Sequence, residues 1–173
     1  DDGGPCSAVL PAGLTAGKKA VELEPERIEG HYYLAALHGF NAQTQRGGDV
    51  KPLVQLMISE GETAAKIDER FDSGGPHRLL GTLYARAPAP PVAVGDPEKA
   101  VTHLQKAVAL APDYPPNQMY LAEALIADER YPDAEAAIQT TRKLLTDSKW
   151  DKRRAAWKDA LSKIERKLRA KQG

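Results

Sequence analysis

Four histidines, one cysteine and a few close pairs of charged residues are the side chains of this 173-residue sequence with chemical potential. His31 and His38 stand seven apart, so a helix would place them on one face, where a third donor could complete a metal site. No HExxH spacing accompanies them. The lone Cys6 excludes an internal disulfide and any cysteine-rich zinc site. Gly3-Gly4-Pro5 before it lacks the apolar residue of a lipoprotein processing site, so Cys6 reads as a buried or free thiol. Arg46-Gly47-Gly48-Asp49 has no Lys-Ser/Thr after it and reads as a turn plus helix cap, not a phosphate loop. Gly74 and Gly75 do not make GxGxxG, and Asp128 with Glu129 has no partner base or nucleophile. The expectation is a protein without catalytic residues, metal or cofactor.

Charge and composition narrow the classes further. Basic and acidic side chains balance at 24 each, which gives no net field for nucleic acid. Residues 149–173 nevertheless carry net +7 and the first 148 residues −7, so an acidic body precedes a basic terminal helix. That helix either attracts its own body or meets an acidic neighbour. No apolar run approaches the roughly 18 residues of a membrane span.

The elements that must position these residues are helices. Leu53, Leu56, Met57, Ala64, Ile67 and Phe71 form an amphipathic stripe, as do Val101, Leu104, Val108 and Leu110. Gly95-Asp96-Pro97-Glu98 reads as a break, an N-cap, a first-turn proline and an acid favoured by the helix dipole. Pro52, Pro76 and Pro132 mark other first turns, and Ser148 with Asp151 resembles a capping box. The pattern predicts about eight helices, near 6–23, 27–45, 50–71, 76–87, 97–111, 116–129, 131–146 and 149–171. Three prolines in Ala87-Pro88-Ala89-Pro90-Pro91-Val92 cannot continue a helix. With helical material on both sides, 87–94 reads as an insertion in a hairpin, a domain linker being the alternative.

Self-similarity then sets the architecture. Ala100, Leu104 and Ala107 return 34 residues later as Ala134, Ile138 and Thr141, a period of two helices that is similar to the tetratricopeptide repeat. His77, Leu80, Gly81 and Tyr84 fit a first helix, and Ala100, Leu104, Ala107 and Pro112 a second. Gln118, Leu121, Ala122 and Leu125 open the next repeat; His31, Leu34, Ala35 and His38 fit an earlier one. His31, His38 and His77 thereby fall where a large packing residue belongs. The expected fold is one all-α, right-handed solenoid domain over 1–173, of three to three-and-a-half repeats. It comprises a partial repeat at 1–25, irregular repeats over 26–146 and a basic cap helix at 147–173, with Trp150 and Trp157 as core residues.

A closer resemblance follows from longer runs. Asp72-Ser73-Gly74-Gly75-Pro76-His77-Arg78-Leu79-Leu80-Gly81-Thr82-Leu83-Tyr84-Ala85-Arg86-Ala87-Pro88 resembles a motif of the T component of TRAP-type solute transporters. Val94-Gly95-Asp96-Pro97-Glu98-Lys99-Ala100, Pro112-Asp113-Tyr114-Pro115-Pro116-Asn117 and Glu29-Gly30-His31-Tyr32-Tyr33-Leu34-Ala35-Ala36 are similar to it too. The resemblance implies a periplasmic, lipid-anchored scaffold, its anchor outside this stretch, that docks an extracytoplasmic solute-binding protein. It also implies a homotrimer with a partly apolar pore. By the wider repeat resemblance, a concave face would carry Tyr32, Ala36, Phe40, Arg78, Thr82, Arg86, Met119, Glu123 and Ile126 as partner-binding residues. Tyr32 and Tyr33 cannot both face it, so one is expected in the core. The alternatives are a general adaptor for a peptide or helix, and a small apolar-ligand binder using a groove or oligomeric pore.

Overall fold

Prolines at the second position and acids in the first turn start several of the helices, and alanines let them approach closely. The computed structural model describes residues 4–45, 49–90 and 93–173, with side chains from Ala8 onward. The Cys6 thiol and the turn expected at Arg46-Gly47-Gly48 therefore lie outside the described residues, as do Pro91 and Val92 of the proline insertion. The helices are α1 (Gly4–Leu23), α2 (Ile28–Thr44), α3 (Lys51–Ile67), α4 (Phe71–Arg86), α5 (Pro97–Leu110), α6 (Pro115–Ala127), α7 (Tyr131–Leu144) and α8 (Asp151–Gln172). A short 3₁₀ turn, Ser148–Trp150, precedes α8, and no strand occurs among the described residues. The fold is all-α.

The chain divides into two compact units, Asp1–Leu79 and Leu80–Gly173, with the boundary inside α4. In the first unit α2 packs on α1 and α3. Leu34, Ala35, Val54, Met57 and Ala64 form its buried face. His31 is buried among them: one ring nitrogen meets the Pro25 carbonyl at 2.9 Å and the other meets Glu60 Oε2 at 2.6 Å.

At the start of α4 the structure departs from a simple helix. Asp72, Ser73 and Gly74 take left-handed backbone angles, with φ of 48°, 59° and 78°. A regular right-handed helix begins only after them, which places Pro76 in its first turn. Left-handed geometry costs about 1–2 kcal/mol at each residue bearing a Cβ, so Asp72 and Ser73 need outside support. Arg78 supplies it, donating through Nη1 to the carbonyls of Asp72 at 3.0 Å and Ser73 at 3.1 Å, and pairing with the Asp72 carboxylate. The Tyr32 hydroxyl donates to the same carboxylate at 2.7 Å.

The second unit repeats one packing rule. Ala100, Leu104, Ala107, Ala122 and Ala134 are fully buried, and Leu80, Gly81, Leu121 and Ile138 are buried beside them. Tyr84 is half-buried and stacks on His103. The end of α5 is tied to the start of α6 by Asn117, a buried amide that donates to the carbonyls of Ala107 and Ala111 at 2.9 and 3.2 Å. Asp96 caps α5 by accepting from the Lys99 amide, which holds its carboxyl below the usual range. The chain around the proline insertion folds back on itself: the Gly95 amide donates to Pro88 O at 2.8 Å and the Asp96 amide to Tyr84 O at 3.0 Å.

Two expectations near the C-terminus are overturned. Ser148 and Asp151 do not form a capping box. Asp147 caps the 3₁₀ turn by accepting from the Lys149 amide, and α8 starts only after that turn. Trp150 and Trp157 are half-buried and not core residues; they meet each other and Tyr114 edge-on, with ring centres 5.3–5.8 Å apart. Leu161, Ile164 and Leu168 are the buried stripe of α8.

Candidate partner-binding surface

The nine residues expected on a concave face divide between the two units and do not share one environment. In the first unit, Tyr32 is half-buried, its ring lying on the backbone at Gly75, where an added Cβ would come within 2.9 Å of it. Burial, followed by the Asp72 hydrogen bond, pushes the Tyr32 phenol well above its ordinary range. Ala36 is exposed and Phe40 half-buried. Arg78 is a correction: its side chain is only 11% exposed and holds the left-handed turn, so it is a structural latch and not a contact surface.

One of the two adjacent tyrosines is expected in the core, but neither is fully buried: Tyr32 is half-buried and Tyr33 exposed. Tyr33 is 57% exposed, while Tyr32 turns toward α4. The rings of Tyr32, Tyr33 and Phe71 meet edge-on, with centres 5.1–6.2 Å apart. Tyr33, Ala36 and Phe40 also follow i, i+3, i+7 spacing, which puts them on one stripe of α2. An exposed apolar stripe with a braced aromatic is therefore present, and Phe71 is part of its support.

In the second unit, Thr82 is half-buried and Arg86 exposed. Arg86 pairs with Glu123 at 2.7 Å and lies 5.4 Å from the centre of the Tyr120 ring. Burial works against the Arg86 charge, but the Glu123 hydrogen bond and charge outweigh it and raise its pKa. Glu123, 16% exposed, also meets Lys167 of α8 at 3.5 Å. Met119 and Ile126 are corrections: at 4% and 1% exposure they are core residues. They belong to the cluster that takes in Leu161, Ile164 and Leu168, because α8 packs against α6 as well as α7.

The remaining titratable group of interest is His38. It is buried, its Nδ1 has no hydrogen-bond partner, and it faces Lys18 of α1 and Glu60 of α3. Burial, reinforced by Lys18 and opposed by Glu60, holds its pKa below the ordinary 6.5. The unfolded chain then binds more protons than the folded one below pH 6.5, so stability falls as the pH drops through that value. A His38→Leu variant should lose less stability than the parent between neutral and mildly acid pH, measured by denaturant unfolding followed by circular dichroism. Equal losses would contradict the assignment. Among the described residues no group of three His, Cys, Asp or Glu side chains is placed to hold a metal ion, and no helix is long and apolar enough to cross a membrane.

Residues 92–164 match the tetratricopeptide repeat family. That stretch holds α5, α6, α7 and α8 as far as Ile164, including the 34-residue echo of Ala100, Leu104 and Ala107. The chain also resembles the crystal structure of TTC0263, a thermophilic tetratricopeptide repeat protein of Thermus thermophilus. The TM-score is 0.68 at 23% identity, over 89% of this chain and 74% of that one. No match is found among curated proteins. The all-α fold and the repeat are thereby shown.

Proposed function

We propose that this protein is a non-enzymatic interaction scaffold, similar to the T component of a TRAP-type uptake system, that docks an extracytoplasmic solute-binding protein. The observation that carries the docking is the stripe Tyr33, Ala36 and Phe40 on α2. Most of the charged residues expected to contact a partner are engaged internally, Arg78 with Asp72 and Arg86 with Glu123. The tyrosine ring at 57% exposure, held edge-on by Tyr32 and Phe71, is left for a partner. A fixed aromatic with few rotatable bonds loses little entropy on binding, and i, i+3, i+7 anchors suit an apolar helix. The transport assignment is supported by the motif runs at 72–88, 94–100 and 112–117. A periplasmic location and a trimer are part of the same proposal.

The direct test is biolayer interferometry between the purified chain and a TRAP-type solute-binding protein from the same source. The expected result is saturable binding that weakens about tenfold or more in the double variant Tyr33→Ser, Ala36→Glu, with circular dichroism unchanged. Binding unaffected by the double change would move the interface elsewhere. No binding to that partner, alongside capture of apolar helical peptides, would favour a general adaptor.

A further inference from the structure

A cleft of about 240 Å³ lies beside the start of α8, lined by Arg142, Leu145, Thr146, Arg154, Lys158 and Leu161. Three of its six lining residues are cationic, one carries a hydroxyl and two are leucines; none is an acid. The nearby acids do not use all the donors. Arg142 pairs with Glu165 at 2.9 Å. Arg154 uses Nη2 for the Asp147 carbonyl at 2.8 Å and for Asp151. Its Nε–H, however, is buried without a hydrogen-bond partner, and the Lys158 ammonium has no partner among the described residues. A buried guanidinium donor left unsatisfied is costly, and it sits on a residue that lines a cleft with a surplus cation.

We propose that this cleft binds a carboxylate attached to a short branched hydrocarbon. The carboxylate would pair with the Lys158 ammonium and the Arg154 guanidinium that line the cleft. The hydrocarbon would rest on Leu145 and Leu161, whose apolar surface strengthens the ionic contacts by excluding water. At roughly 30 Å³ per water-sized group, the space holds about eight non-hydrogen atoms, the size of a small branched acid or of the carboxylate and side chain of a terminal leucine. A free acid and the C-terminal leucine of a protein present the same chemistry, and the test separates them.

Isothermal titration of the full chain with 3-methylbutanoate should show saturable one-to-one binding. Its uncharged amide should bind about tenfold or more weakly, and Lys158→Gln should weaken the acid by a similar factor. Lys158 is exposed and unpaired, so that variant should keep the parent's circular dichroism. Methyl resonances of Leu145 and Leu161 should shift on addition of the acid. N-acetyl-leucine supplies the second arm: tighter binding than 3-methylbutanoate assigns a protein C-terminus, weaker binding a free acid, and either supports the site. No saturable binding, equal binding of acid and amide, or equal affinity in Lys158→Gln would overturn it. Inorganic phosphate competing as well as the acid would also overturn it, because the leucines would then contribute nothing.

Discussion

Replacing Gly95 with alanine should lower the stability of the second unit by about 2–4 kcal/mol. A Cβ there would lie 2.8 Å from the carbonyl carbons of both Ala87 and Pro88, and closer still to the Ala87 oxygen. These are backbone atoms, so no side-chain rotation relieves the overlap; the returning chain has to move away. That movement strains or breaks the bonds from the Gly95 amide to Pro88 O and from the Asp96 amide to Tyr84 O. It also disturbs Asp96, which caps α5. Trp150 and Trp157 both lie in this unit, so their fluorescence reports its unfolding directly. A midpoint lower by about 10 °C or more is expected for a unit of this size. An unchanged midpoint would mean that the proline insertion is not closed by this contact.

The second large effect is expected from Gly81→Leu. An added Cβ would lie 2.5 Å from Leu104 Cγ and 3.1 Å from the Ala100 carbonyl oxygen. Leu104 is fully buried and its Cγ is a branch point, so the neighbour has no free end to swing aside. Two terms oppose each other here. Glycine inside a helix is worse than leucine by up to about 1 kcal/mol, which favours the variant. Overpacking of a tight helix pair costs about 1–3 kcal/mol, and the remaining leucine atoms add to it. The net is destabilisation, read as a lower tryptophan-monitored midpoint. Stability equal to the parent would contradict the register in which Gly81 is where α4 approaches α5.

These two glycines show how the sequence was legible and where it stopped. The helices could be read because proline, aspartate and the 3.6-residue apolar period are local signals. The packing of Leu80, Gly81, Ala100, Leu104 and Ala107 could be read because a repeat writes the same contact twice. The left-handed turn at Asp72-Ser73-Gly74 could not, because its first two residues are not glycine and its support comes from Arg78 and from Tyr32, forty positions away. Arg78 therefore reads in the sequence as a partner-binding residue when it is a latch.

Met119 and Ile126 illustrate a second limit. On α6 they occupy a face that would line a groove if nothing covered it, and an apolar residue in a groove reads the same as one in a core. Their burial depends on how α8 lies against α6, a long-range outcome of the Leu161, Ile164 and Leu168 stripe. The exposed tyrosine was misjudged for a related reason. Adjacent helical positions differ by about 100°, so Tyr32 and Tyr33 had to diverge, but only the Asp72 partner decides which of them turns inward.

The measurement that tests the scaffold reading most directly is affinity capture from the envelope fraction of the source cells, run in parallel with the parent chain and a Tyr33→Asp variant and read by mass spectrometry. The parent should recover an extracytoplasmic solute-binding protein, and the variant, folded by circular dichroism, should lose it. Recovery of the same partner by both chains, or of nothing above background by the parent, would contradict that reading.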